Sequence, residues 1–210
     1  MKFQINSLRE LKEKQKLFVI ETCLLGDPVL ESTHLERNFF AEKFTTGMLG
    51  KNKQQIWDDW RRGADGRGKH PDGDLDVDIV GFWSASRTIG SVGLKGTVQR
   101  LNRRFLGRMD YAELFHHIGH EGMHKIGYFH GGRSFRKDVS YRMGDIMERS
   151  FEQYYEWTSY DKEELRGRAI IILKKINGGE KSFEDKTYND LVNDIIAENN
   201  PLIKNFKLVA

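Results

Sequence analysis

The chain has 210 residues, 38% hydrophobic and 31% charged, a composition expected of one soluble domain long enough to bury a core. No run approaches 18 consecutive apolar residues, which excludes a membrane-spanning helix, and residues 17–20, closed by Glu21, are too few for a signal-peptide core. Thirty-four basic against 31 acidic residues leave +3, too mild to argue for nucleic acid, and the single cysteine, Cys23, excludes a disulfide framework and a cysteine-based zinc cluster.

The first forty residues read as helical. Ser7 and Glu10 have the spacing of a capping box, in which the two side chains satisfy free N–H groups of a first turn. Apolar Leu11, Phe18, Ile20, Leu24 and Leu25 follow, until Gly26, Asp27 and Pro28 stop the helix. Further helices are expected over residues 35–44 and 53–60. Residues 61–76 hold four glycines with Asp65, Asp72 and Asp74, the composition of a long loop. Residues 78–83 are the first strand candidate, Gly90, Gly93 and Gly96 punctuate a turn-rich stretch, and residues 97–102 are a second strand candidate.

Asp110 and Glu113 make another capping box. The helix they open carries Leu114, Phe115, Ile118, Met123 and Ile126 at helical spacing, and Gly127 ends it in the left-handed conformation that glycine tolerates best. Beyond Ser150, helices are expected over residues 163–176 and 187–198. There is no internal repeat and no low-complexity tract. Helices, then strands, then a histidine-rich helix, then helices argue for an α+β fold.

Five of the seven histidines fall between His116 and His130. His120 and His124 are four apart, so on a helix they project from one face, one turn apart. Glu121 lies beside them and can reach a metal-activated water without being a ligand. Gly127 lets the chain turn so that His130 returns to the same ion. Three neutral imidazoles leave a coordination position open, as catalytic zinc sites do and closed structural ones do not. Such an ion lowers the pKa of a bound water towards about 7, and Glu121 can then act as general base. A chance match to all five fixed positions is on the order of one in ten thousand.

At these residues the chain resembles the metzincin metallopeptidases, whose HExxHxxGxxH motif is matched by His120, Glu121, His124, Gly127 and His130. The resemblance implies Zn2+ held by His120, His124 and His130, with Glu121 as the catalytic base. It implies a metzincin-like catalytic domain, a small twisted mixed sheet over the active-site helix with a smaller C-terminal part below. Over about residues 45–150 the chain is also similar, more loosely, to small peptidases encoded by bacteriophages. The organisation expected is an N-terminal helical segment (1–60), a zinc-binding catalytic core (61–150) and a C-terminal helical subdomain (151–210) in one compact unit. Metzincins place a methionine in a tight turn beneath the zinc, and Met143, between Ser140 and Gly144, is the candidate; Met147 reads as a core methionine of a following helix. Tyr141 is a candidate oxyanion stabiliser, with an ordinary packing tyrosine as the alternative.

Other residues take plainer readings. His116 and His117 are expected to support the site or face solvent, because a fourth ligand would close it. Asp72, Asp74, Asp76 and Asp78 alternate as calcium ligands can, yet the sixth loop position lacks glycine and the twelfth lacks glutamate, so an EF-hand fails. Asp76 or Asp78 remains a hard-cation candidate. Cys23 reads as a small buried hydrophobe rather than an inhibitory thiolate. Arg61, Arg62, Arg67, Lys69 and His70 read as a solvated loop. The expected activity is peptide-bond hydrolysis by zinc-activated water, on a peptide or protein lying along an edge strand, with residues 97–102 the candidate edge. The alternative is a non-catalytic, zinc-stabilised structural or interaction domain of a phage or toxin system. Without a signal peptide or membrane span, the expected location is the cytoplasm or the medium after lysis; oligomeric state is left open.

Overall fold

A computed structural model of the chain describes residues 1–44, 48–63, 72–86, 88–92, 98–130 and 137–177. Along the chain these form β1 (Phe3–Arg9), α1 (Glu13–Leu30), α2 (Thr33–Ala41), α3 (Lys53–Arg61), β2 (Leu75–Phe82), β3 (Gly90–Val92), β4 (Gln99–Asn102), α4 (Arg103–Leu106), α5 (Tyr111–Lys125), α6 (Val139–Trp157) and α7 (Lys162–Asn177). The class is mixed α+β, as expected from the order of elements. The helix expected over residues 187–198 lies outside the described residues, as do Asp65, Arg67, Lys69 and His70 of the glycine-rich loop.

The capping-box reading of Ser7 and Glu10 is overturned, because this segment is a strand. β1 pairs in parallel with β2, from Phe3 opposite Leu75 to Arg9 opposite Val80, with a register shift between Ile5 and Ser7. Ile5 and Leu8 are buried, while on the polar face Asn6 Nδ2 donates to Asp76 at 2.7 Å and Ser7 Oγ to Asp78 at 2.9 Å. A parallel pair satisfies backbone groups along the whole segment, which a single helical cap does not. The same bonds give Asp76 and Asp78 a role in joining the two strands. The 1–60 segment is therefore not purely helical: its first element is a strand of the sheet.

A second correction concerns the end of α1, which continues past Gly26 to Leu30 with Pro28 inside it. Gly26 serves close packing rather than termination: a Cβ there would overlap the Phe115 ring and lie 2.7 Å from the ring of Phe3. Asp27 Oδ1 accepts the Phe3 N–H at 2.8 Å, tying the strand to the helix. Pro28 removes one helical hydrogen bond near the terminus, and burial of Val29 and Leu30 outweighs it.

The sheet order is β1-β2-β4-β3. β2 and β4 run parallel, with Ile79 opposite Gln99 and Phe82 opposite Asn102, and β3 closes the sheet antiparallel to β4. The two expected strands are thus present with shifted ends. The turn-rich stretch contains β3, whose three residues are too few for an alternating pattern to show. In β2, alternate residues Leu75, Val77, Ile79 and Gly81 are buried. α5 lies between this sheet and α6, with Leu114, Phe115, Ile118 and Met123 fully buried. A buried carboxylate ties α7 back to the body: Glu21 accepts from Arg166 Nε at 2.7 Å and from the Tyr111 hydroxyl at 2.9 Å.

Two outcomes follow from the α1 terminus. Gly26→Ala should destabilise the fold by about 1–3 kcal/mol through overpacking against Phe115, read by urea denaturation; an unchanged midpoint would contradict the close approach. Burial raises the Asp27 carboxyl to about 7 against the opposing Phe3 N–H. The folded state then holds a proton that the unfolded state has lost between about pH 4 and 7, so this group removes stability as pH rises through that window. Asp27→Asn should therefore stabilise the protein at pH 8 by about 2 kcal/mol, since the half-buried carboxyl keeps some solvent, and by nothing near pH 3.

Candidate metal centre

α5 is built to start and stop where the sequence expects. Asp110 accepts the Glu113 N–H at 2.9 Å, and the Glu113 carboxylate accepts the Asp110 N–H at 3.0 Å, closing the capping box. After Lys125 the chain reverses at Gly127, whose φ of +100° is open to glycine and strained for other residues. The reversal carries His130 back to the face that holds His120 and His124. Ring centroids are 4.8 Å apart for His120 and His124, 4.7 Å for His124 and His130, and 5.2 Å for His120 and His130. One nitrogen from each ring lies within 4.8 Å of the other two, a grouping able to hold a metal ion.

Two of the rings are oriented by partners that the sequence did not single out. His124 Nδ1 lies 2.6 Å from the main-chain oxygen of Tyr128, which also accepts from Ser140 Oγ at 2.9 Å. Because a carbonyl only accepts, Nδ1 carries the hydrogen and Nε2 becomes the ligating nitrogen. His130 Nδ1 lies 2.6 Å from Oδ2 of Asp138, which is fully buried. The other oxygen of Asp138 accepts the Tyr141 N–H at 2.8 Å and caps α6. Carboxylate and carbonyl partners of this kind fix tautomer and ring plane and raise ligand basicity. Tyr128 is itself held by a hydrogen bond from its hydroxyl to Asp59 Oδ2 at 2.5 Å, and Lys51 pairs with the same oxygen. Sequence reasoning can recognise Asp138 as an N-cap before α6, but its contact with His130 is tertiary.

The His120 and His124 imidazoles are pushed down, first by burial and then by the neighbouring imidazoles. The shift favours the neutral imidazole, the form that binds a metal, although at His124 the Tyr128 carbonyl opposes it. His120 Nδ1 is buried with no hydrogen-bond partner among the described residues, and so is Glu121 Oε2. Burial raises the Glu121 carboxyl to about 7, against the Val92 N–H that favours the ionised form. A position for Cβ on Gly90 lies 3.3 Å from Glu121 Oε1, so this carboxyl sits beneath β3. The donor set fits a metal: three imidazoles converge, two with assigned tautomers, beside a buried and incompletely bonded carboxyl.

Several expectations are placed differently. Met143 is not in a tight turn: α6 begins at Val139, and Met143 lies fully buried in its second turn. The Asp138 cap starts the helix early, and Gly144 is accommodated inside it, where His116 packs against its backbone. Met147 is a buried residue of the same helix, as expected. Tyr141 stands edge-on to both His120, at 5.6 Å, and His116, at 6.0 Å. His116 is bonded to Glu148 rather than exposed, and burial lowers His117 to about 4. Cys23 is buried in α1 and its thiol is pushed well up by that burial, so it is no zinc-capping thiolate. β4 is flanked by β2 and β3, so residues 99–102 are no edge; on this side the edge strand is β3. No helix among the described residues is long and apolar enough to cross a membrane.

Compared with known proteins, the chain matches no family model, no curated protein and no solved structure.

Asp138 joins ligand orientation to helix capping, and the two roles separate by substitution. Asp138→Ala should weaken zinc binding about 10–100-fold and cost about 1 kcal/mol or more from the lost cap. Asp138→Asn should keep the cap while still weakening the metal. Zinc titration and denaturant unfolding of both variants check this, and unaltered zinc affinity in both would remove Asp138 from the centre.

Proposed function

We propose that the chain is a zinc-dependent metallopeptidase of metzincin type, with the ion held by His120, His124 and His130 and Glu121 as general base. One observation carries the reading: three imidazoles converge on one point beside a buried carboxyl whose Oε2 has no partner among the described residues. A zinc ion held there by His120, His124 and His130 would supply Lewis acidity and acidify a water towards neutral pH. Glu121, with its carboxyl raised to about 7 by burial, is matched to take a proton near neutral pH and pass it to the leaving amine. Oε1 faces β3 and Oε2 is the oxygen left for that transfer.

The substrate in this reading is a peptide or protein segment in extended form. It would lie along β3 (Gly90–Val92), the short edge strand above Glu121, by strand addition, so that its scissile bond reaches the carboxyl. Asp138 and the Tyr128 carbonyl hold the His130 and His124 rings through each turnover. Tyr141, edge-on to His120, is the candidate oxyanion stabiliser in this reading.

Glu121→Gln should retain zinc and lose about 10²–10⁴-fold in hydrolysis of a denatured protein or a mixed peptide library. Undiminished hydrolysis by that variant would overturn the catalytic assignment. Wild-type protein purified without chelator and carrying less than about half an equivalent of zinc would overturn the metal. Zinc retained with no hydrolysis by wild type would favour a structural zinc domain.

A further inference from the structure

One turn before His120 on the same face of α5 stands His116, and a second set of donor atoms gathers on it. His116 Nδ1 is 2.9 Å from Oε2 of Glu148 and 3.7 Å from Oδ1 of Asp145. Asp145 and Glu148 are three apart on α6 and so share one face of that helix. The three donors, one nitrogen and two oxygens, all lie within 4.8 Å of one another and are half-buried. We infer that His116, Asp145 and Glu148 form a second divalent-cation site, separate from the three-histidine centre and bridging α5 to α6.

Four observations support a cation here beyond a simple ion pair. An ion pair is complete with one carboxylate, whereas two face His116. Arg142 Nη1 bonds only the outer oxygen of Asp145, at 3.1 Å, leaving Oδ1 towards His116. Arg142 is also shared with Glu42, 3.8 Å from its Nε, so its one positive charge is divided and does not balance the two carboxylates facing His116. The ring is held in place as well: a Cβ on Gly144 would lie 2.8 Å from its Cδ2 and Nε2, so only glycine lets the imidazole lie this close to α6.

One imidazole with two carboxylates is a borderline donor set, suited to Zn2+ or Mn2+. Ca2+ and Mg2+ take oxygen ligands and would leave the imidazole unused. Tyr141 stands edge-on to both His116 and His120, so an ion at the second site would also steady one wall of the first.

The test is zinc stoichiometry of the full chain, by titration and by metal analysis after dialysis. Wild type should bind about two equivalents, His124→Ala should keep one, and adding Asp145→Asn with Glu148→Gln should remove it. Both carboxylates are half-exposed, so the near-isosteric amides should leave the metal-free circular dichroism unchanged. Glu148→Gln alone, which keeps the Arg142–Asp145 pair, serves if the double variant does not fold. Zinc binding by the amide variants equal to wild type would overturn the second site and leave the three-histidine centre standing. Zinc lost on amide substitution but unaffected by His124→Ala would support the second site and overturn the first.

Discussion

The centre depends on how closely α5 can lie against α6 and the sheet at once. Met147 occupies the position a Cβ on Gly119 would take, and on the sheet side a Cβ on Gly122 would lie 3.1 Å from Leu75 and 3.2 Å from Trp60. Glycines therefore line both sides of the helix within one turn of His120. Their low helix propensity costs about 1 kcal/mol each, which the buried apolar contacts they permit can offset. Larger residues there would push α5 outward, carry Glu121 away from β3 and separate His116 from the carboxylates of α6.

The second layer of the centre comes from segments far apart in sequence. Asp59 at the end of α3 holds the Tyr128 hydroxyl, and the Tyr128 carbonyl holds both His124 and the Ser140 hydroxyl. Asp138 opens α6 and holds His130. Two of the three candidate ligand rings, His124 and His130, are thus fixed by groups whose own positions are set by other helices. Lys125, one residue beyond His124, is buried and donates to the Asp76 main-chain oxygen at 2.5 Å, joining the end of α5 to β2. A site supported in this way is preorganised: its geometry does not rest on one flexible loop.

What the sequence disclosed follows the range of the forces involved. The α5 capping box, the spacing of His120 and His124 and the left-handed Gly127 are local, and all were legible. β1 was misread because Ser7 and Glu10 satisfy a local rule, while the parallel pairing with β2 that decides the matter joins residues about seventy positions apart. Gly26 and Gly144 misled in the same way: each reads as a breaker, yet each gives room to an aromatic or imidazole ring from another element. The metzincin resemblance puts Met143 in a turn, whereas the Asp138 cap starts α6 early and places it inside a helix. The edge strand was misplaced because β3 is too short to show a period.

Asp138 has a consequence for the molecule as a whole. One of its oxygens bonds His130 of the candidate metal centre and the other caps the first turn of α6. If an ion is held at His130, part of its binding energy passes through this carboxylate into helix nucleation, the costliest step in making any helix. Loading the centre and completing α6 then become one cooperative event, and a partly folded chain has reduced means of assembling a working centre. On the proposed peptidase reading, hydrolysis would then be withheld during folding, when the chain's own unfolded segments are the nearest substrates.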